Sequence, residues 1–311
     1  MPHVIGIDAG GTKTHGLLAD EAGEVLGEAV GPGANISTGG ELAVEKALHE
    51  VIDRLLARER EVPAVIAIGM AGADRPDDHR IVRAILHRIA RGARPVVTHD
   101  ALIALVAGAG DGAGVVVIAG TGSIAFGRDR ENRSARAGGW GYVLADEGSG
   151  YWIGRHALTA VMREFDGRGP ATALTPRVLS ELGLDRAADI GPRVYHGQLP
   201  LASIAGLAPL VGAAAEDGDR CAREILARAA GELGGAASAV VGRLRMEDEA
   251  FPCVLSGGVF GIPALAEGMT RRMAEVAPRA AVRRLARPPA AGAVRLALEA
   301  LGGEARLPTP I

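Results

Sequence analysis

Apolar and polar positions change period several times along this chain, and each change marks an element. Residues 3–8, His-Val-Ile-Gly-Ile-Asp, form an apolar stretch too short for a helix, and strands over 14–20 and 24–30 follow, so the chain is expected to open on a three-strand meander. Residues 31–35, Gly-Pro-Gly-Ala-Asn, read as a turn. The period then lengthens. Leu42, Val44, Leu48, Val51, Ile52, Leu55 and Leu56 recur at helical spacing with Glu41, Glu45, Asp53 and Arg54 off that face, which predicts an amphipathic helix over 40–60. A strand over 62–70, a helix over 74–91, a strand over 95–99 and a short alanine-rich helix over 101–109 complete the order βββ-α-β-α-β-α.

Residues 110–114, Gly-Asp-Gly-Ala-Gly, make a joint, and the opening then recurs in altered form. Val115 to Ala119 is a β-branched strand running into Gly120-Thr121-Gly122-Ser123, with short strands at 124–127 and near Ala135. A helix is expected over 151–165. Residues 166–250 read as mostly helical, punctuated by Pro170, Pro176, Pro192, Pro200 and Pro209, with 220–244 the longest uninterrupted pattern. A strand over 251–256 reaches Gly257-Gly258, and a helix to 277, a strand over 280–285 and a helix over 290–301 replay β-α-β-α. The expected domains are 1–113, joined by the C-terminal helix at about 289–311, and 114–288 with a helical insertion at 166–250. They are expected to close on substrate about the 110–114 joint and Pro288-Pro289.

Composition changes the picture only in what it excludes. With 311 residues the chain suits two domains, and two domains suggest a cleft. Lys+Arg 34 against Asp+Glu 37, spread evenly for a net charge of -3, leave no basic field for nucleic acid. Cys221 and Cys253 lack CxxC or Cys/His spacing, which fits a reducing compartment and no structural zinc. No basic n-region and h-region opens the chain, and the longest apolar run, 115–119, is far too short for a bilayer, so a soluble cytoplasmic protein is expected.

The chemistry begins at Asp8-Ala9-Gly10-Gly11-Thr12-Lys13-Thr14. A strand that stops at an aspartate and turns through two glycines into hydroxyls and a lysine brings backbone N–H groups close to a polyphosphate, and Asp8 can hold Mg²⁺ through water. A P-loop needs lysine directly after its last glycine, whereas Thr12 follows Gly11 here, and 15–20 is too short and apolar for the helix a P-loop requires. An ordinary β-hairpin with glycines in its turn is the bland alternative. Four polar or glycine turns, at 8–14, Asp100, 120–123 and 257–258, sit at the C-terminal ends of strands, the edge where open α/β sheets bind ligands.

The set resembles the actin, Hsp70 and sugar-kinase superfamily, and within it the N-acetylglucosamine kinase branch of the BadF/BadG/BcrA/BcrD ATPase family. The carriers are residues 8–14, Asn35, Asp100, Ala-Gly-Thr-Gly-Ser at 119–123, Gly-Gly-Trp-Gly at 138–141, Asp-Glu-Gly-Ser-Gly at 146–150 and Ser-Gly-Gly-Val at 256–259, spanning nearly the whole chain. The resemblance implies two actin-like (ribonuclease H-like) α/β domains about a central cleft, with extra helices in the second. It implies an ATP-dependent kinase acting on the 6-hydroxyl of N-acetyl-D-glucosamine, with glucosamine or N-acetylmuramic acid as alternative substrates, and relatives suggest a homodimer. Position by position it implies that Gly10, Gly11, Thr12 and Lys13 form one phosphate loop and Thr121, Gly122 and Ser123 the other, and that Asp8 organises Mg²⁺. Gly257 and Gly258 would lie by the adenosine. Asn35, Asp100, Thr121, Gly139, Trp140 and Asp146 would serve the sugar, with Asp100 taking the proton of the attacking hydroxyl.

Each residue keeps a plainer reading. Asp100 before a helix suits an N-cap, Asp146 suits helix-start chemistry with Glu147 and Ser149, and Asn35 suits a turn. Trp140 suits either a core position or a sugar platform. His99 reads as packed or solvated rather than as a dyad partner of Asp100, because successive strand residues face opposite ways. The rival class is an ATP-driven reductase activator with a [4Fe–4S] cluster between subunits, which needs suitably placed cysteines; Cys221 in a helix and Cys253 in a strand do not look like such a pair.

Overall fold

The structure, a computed structural model, describes residues 2–57, 62–73 and 75–311, and of Ser37 and Thr38 only the backbone. The chain forms two compact units, one of Met1–Gly114, Arg128–Ser134 and Leu285–Ile311, the other of Val115–Gly127 and Ala135–Arg284.

The first unit holds β1 (Val4–Ala9), β2 (Lys13–Ala19), β3 (Val25–Pro32), α1 (Ile36–Leu56), β4 (Val65–Met70), α2 (Pro76–Ile89), β5 (Arg94–His99) and α3 (Asp100–Ala109). Its sheet runs β3-β2-β1-β4-β5, with β1/β2 and β2/β3 antiparallel and β1/β4 and β4/β5 parallel. The central strand β1 is covered on both faces, which is why its sequence is continuously apolar rather than alternating. Val4, Ile5, Ile7 and Ala9 are fully buried, and each of the larger ones contributes roughly 1.5–3 kcal/mol by leaving water.

Some boundaries in this unit differ from the sequence expectation. The expected turn at 31–35 starts later, because β3 is an edge strand that tolerates Pro32; Lys13 pairs with Pro32, and Thr14 Oγ1 donates to the Pro32 carbonyl at 2.7 Å. A short turn from Ile36 precedes the helix expected from residue 40, set off from it by the non-helical backbone of Gly40 (φ 73°, ψ 171°). The strand expected over 62–70 begins at Val65. Residues 58–60 and Asp74, expected in helices, lie outside the described residues.

The second unit repeats the sheet with β6 (Gly114–Ala119), β7 (Ser123–Arg128) and β8 (Arg133–Gly138). Then come α4 (Gly150–Phe165), α5 (Leu174–Leu182), α6 (Ile190–Tyr195), α7 (Leu201–Ala205), α8 (Ala208–Glu216) and α9 (Arg220–Leu244). β9 (Pro252–Ser256), α10 (Pro263–Val276) and β10 (Ala281–Arg284) complete it. The order β8-β7-β6-β9-β10 matches β3-β2-β1-β4-β5 position for position, so the sequence repeat is a structural one. The helical stretch at 166–250 and the helix at 220–244 appear as expected. Asp219 starts α9 by accepting the Ala222 amide at 2.8 Å and anchors the insertion by accepting from Thr172 Oγ1 at 2.9 Å and the Ala173 amide at 2.7 Å.

The chain then returns to the first unit as α11 (Pro289–Gly302) and β11 (Thr309–Pro310). α11 seats against β1 and α3 because glycines remove two side chains: a Cβ on Gly6 would lie 2.3 Å from Val294 N, and one on Gly292 only 1.9 Å from the Ile103 carbonyl. Gly292→Ala is therefore expected to destabilise the protein by about 1–3 kcal/mol or more, read as a lower urea midpoint at constant slope. An unchanged midpoint would contradict this seating.

The glycine-rich joint is tied down. Arg128, 4% exposed, donates to the carbonyls of Gly110 at 2.9 Å and Gly112 at 3.1 Å, and Arg295 pairs with Asp111. β11 was not expected from sequence, since two residues carry no period. It pairs in parallel with Arg133 and Ser134, and Asn132 Nδ2 donates to the Leu307 carbonyl at 3.0 Å.

Candidate functional site

In the first unit the β1–β2 turn is closed by its own backbone, the Gly10 amide donating to the Lys13 carbonyl at 3.0 Å. Neither Gly10 nor Gly11 adopts positive φ. What glycine supplies at Gly11 is room, since a Cβ there would meet nothing within 4 Å among the described residues. The turn is braced from below by the segment after β3. A Cβ on Gly33 would lie 2.3 Å from the Gly11 carbonyl, and the Ala34 amide donates to the Gly10 carbonyl at 2.9 Å. Asn35 comes next, immediately before α1, with its carbonyl accepting the Gly39 amide at 2.8 Å. Gly11, Thr12 and Lys13 are exposed.

Asp8 sits in register with Gly69 of β4, and the missing side chain of Gly69 leaves space for Ile103 of α3, 2.5 Å from where a Cβ would be. α3 thus covers the face that Asp8 occupies, and Asp100 is its first residue. Burial first, and then the Asp100 carboxylate, push the Asp8 carboxyl up to about 7, with Lys13 offsetting part of the rise. The structure corrects the plain reading of Asp100 as an N-cap. His99 is the cap, its Nδ1 accepting the Leu102 amide at 3.2 Å, while Asp100 Oδ1 accepts the amide of its neighbour Ala101 at 2.8 Å.

In the second unit, the β6–β7 turn borrows its closure from a distant helix. Besides the Gly120 amide donating to the Gly122 carbonyl at 2.9 Å, the first amides of α4 reach back, Gly150 N to the Gly120 carbonyl at 2.8 Å and Tyr151 N to that of Thr121 at 3.3 Å. Ser123 Oγ donates to the Glu147 carbonyl at 2.8 Å. Gly257 adopts φ 104°, and a Cβ there would lie 2.2 Å from the Ala119 carbonyl, so the turn leading to Gly258 lies against the start of this loop.

Asp146 is not helix-start chemistry; Ser149 caps α4 by accepting the Trp152 amide at 3.1 Å. Asp146 takes φ 64° and turns its carboxylate onto the loop, accepting the Ser123 and Gly141 amides and lying 2.8 Å from where a Gly122 Cβ would be. Burial raises its pKa and the two amides oppose that rise. Gly139, at φ 73°, packs on Ile124. Trp140 is no core residue: it is 64% exposed, with the Arg136 guanidinium 4.3 Å from its ring centre. The structure thus gathers Asp8, Gly10–Lys13, Asn35 and Asp100 in one unit, and Thr121–Ser123, Gly139, Asp146 and Gly257 in the other. Sequence reasoning missed Gly33, whose signal was hidden inside a Gly-Pro-Gly turn, and the capping role of His99, whereas Ser149 starts α4 as expected.

A recess of about 580 Å³ follows the turn after Gly258, lined by Gly212 and Ala215 of α8, Leu226 and Ala230 of α9, and Ile262 and Pro263. Cys253 is buried, its thiol pushed up to about 12 by that burial, the opposite of what a thiolate ligand requires. Among the described residues no helix is long and apolar enough to cross a membrane.

Two sheets of one order, each opening on a glycine turn after its central strand, define the two-unit α/β fold of sugar kinases and actin-like ATPases. A Chromobacterium violaceum protein assigned to the N-acetylglucosamine kinases superposes with a TM-score of 0.77 at 28% identity, over 96% of this chain and 99% of that one. A ROK-family glucokinase from Streptomyces griseus shares the fold at 0.60 and 19% identity, over 97% of this chain and all of that one. The chain belongs to the BadF/BadG/BcrA/BcrD ATPase family, whose pattern matches residues 5–300. It is 38% identical to the N-acetylmuramic acid/N-acetylglucosamine kinase of Clostridium acetobutylicum, over 83% of this chain and 86% of that protein. It is 33% identical to the N-acetyl-D-glucosamine kinase of Dictyostelium discoideum, over 94% and 97%.

Proposed function

We propose that this chain is a kinase that transfers the γ-phosphate of ATP to the 6-hydroxyl of N-acetyl-D-glucosamine. The observation that carries the reading is a pair of carboxylates near enough to repel each other, Asp8 at the end of β1 beside the glycine turn and Asp100 at the head of α3. Phosphoryl transfer asks for phosphate cradles, charge neutralisation and one carboxylate at the nucleophile. Gly10–Lys13 and Thr121–Ser123 are assigned to phosphate, and the recess beyond Gly257-Gly258 to the adenosine. Asp8 suits Mg²⁺, a cation that keeps several waters and binds through one or two carboxylates plus substrate phosphates, because a buried carboxyl held near 7 gains its charge where a cation is present. Mg²⁺ would supply neutralisation of the phosphate charge.

Asp100 then accepts the proton of the 6-hydroxyl as its oxygen bonds to the γ-phosphorus and the bond to the β-phosphate oxygen breaks. Asn35, Gly139, Trp140 and Asp146 are assigned to the sugar. The names of the Clostridium and Dictyostelium relatives support the amino sugar, and the first of them supports N-acetylmuramic acid as a second substrate. A cytoplasmic homodimer completes the reading.

An ADP-release assay over N-acetylglucosamine, glucosamine, N-acetylmuramic acid, N-acetylmannosamine and glucose tests it. N-acetylglucosamine is expected to show the highest kcat/KM. A glucosamine preference above about tenfold, worth about 1.4 kcal/mol, would overturn the acetamide assignment, and no release with any sugar would overturn the kinase itself.

A further inference from the structure

His99 ends β5 with extended backbone (φ -88°, ψ 158°) and caps α3 through Nδ1, which accepts the Leu102 amide at 3.2 Å. An accepting Nδ1 carries no proton, so the ring is the neutral tautomer protonated at Nε2. Helices ordinarily take Ser, Thr, Asp or Asn at this position, and histidine is an unusual choice. The surroundings give it a reason. Asp8 and Asp100 already repel each other across the face that α3 covers. An aspartate at 99 would satisfy the same amide while adding a third carboxylate where the anionic phosphates of the nucleotide must be received. Asp100 in turn depends on this first turn, because its Oδ1 is oriented by the Ala101 amide, the residue between it and the capped Leu102.

We propose that His99 is a positioning residue: it fixes the first turn of α3, and with it the Asp100 carboxylate, through a cap that brings no charge. This rests on the reading of Asp100 as the base. The test is a series at position 99, comparing melting temperature, kcat and sugar KM in the full-length protein. His99→Ala, which loses the cap, is expected to lower kcat about tenfold with sugar KM within about threefold, and His99→Asn, which caps without charge, to restore kcat to within about threefold of the parent. His99→Asp is expected, while still folded at the assay temperature, to turn over about tenfold more slowly than His99→Asn, a difference that a purely structural cap would not produce. Equal kcat in the Asn and Asp variants overturns the requirement for a neutral cap. An inactive His99→Asn that melts like the parent overturns the positioning role. If His99→Ala does not fold, the Asn and Asp pair still decides. Full turnover in Asp100→Asn would remove the base and this proposal together, whereas an inactive Asp100→Asn beside a fully active His99→Ala would overturn this proposal alone.

Discussion

Asp100→Asn is expected to lower kcat by about 10²–10⁴ while nucleotide binding stays near that of the parent. The substitution keeps the size of the side chain and an oxygen that can accept the Ala101 amide, so the first turn of α3 has no cause to rearrange. What it removes is proton acceptance. It also removes the charge that helps raise the Asp8 carboxyl, so Asp8 should ionise at lower pH as turnover collapses. That second readout separates loss of a base from general damage. Steady-state ADP release gives kcat and calorimetry gives nucleotide affinity; turnover within a few-fold of the parent would leave Asp100 no chemical role.

Asp8→Asn is expected to abolish Mg²⁺-dependent turnover and, at the same time, to stabilise the metal-free protein at alkaline pH. The folded carboxyl titrates near 7, against an ordinary value of 3.8, so the folded form binds more protons than the unfolded chain between those values. A raised pKa contributes stability that is whole below 3.8 and lost as pH rises through 7. The lost amount is up to about 4 kcal/mol for a shift of about three units, less whatever water reaching this half-buried group screens. Asparagine is neutral throughout. Parent and variant should melt together near pH 4, and the variant higher at pH 8 without divalent cation; Mg²⁺ should raise the parent alone. Coincident melts at pH 8 would show that Asp8 is not strained.

Much of this was legible in the sequence. β1 and β6 announced themselves because strands buried on both faces must be apolar throughout, and a period of two versus 3.6 separated the meanders from the helices. The turns at 10–13 and 120–123 could be read because glycine at a strand end has few uses. Illegible were features made by partners far away in sequence. β11 exists only because Arg133 and Ser134 accept it. Pro32 stays in a strand only because β3 is an edge. At 99–100 the chain holds two residues able to cap, and propensity favours the aspartate; the extended backbone at His99 reverses that choice. Asp146 showed the same ambiguity, resolved when its carboxylate met the amides of Ser123 and Gly141.

The two glycine turns differ in how they would travel. The first is closed within the continuous meander from β1 to Ala34, so a designer could transplant that stretch and carry the geometry along. The second owes its shape to the first amides of α4, to Asp146 and to Gly257, which lie far along the chain from Gly120. Lifted out alone, residues 119–123 would be a loop without a mould, and in evolution that loop can drift only as fast as three distant neighbours drift with it.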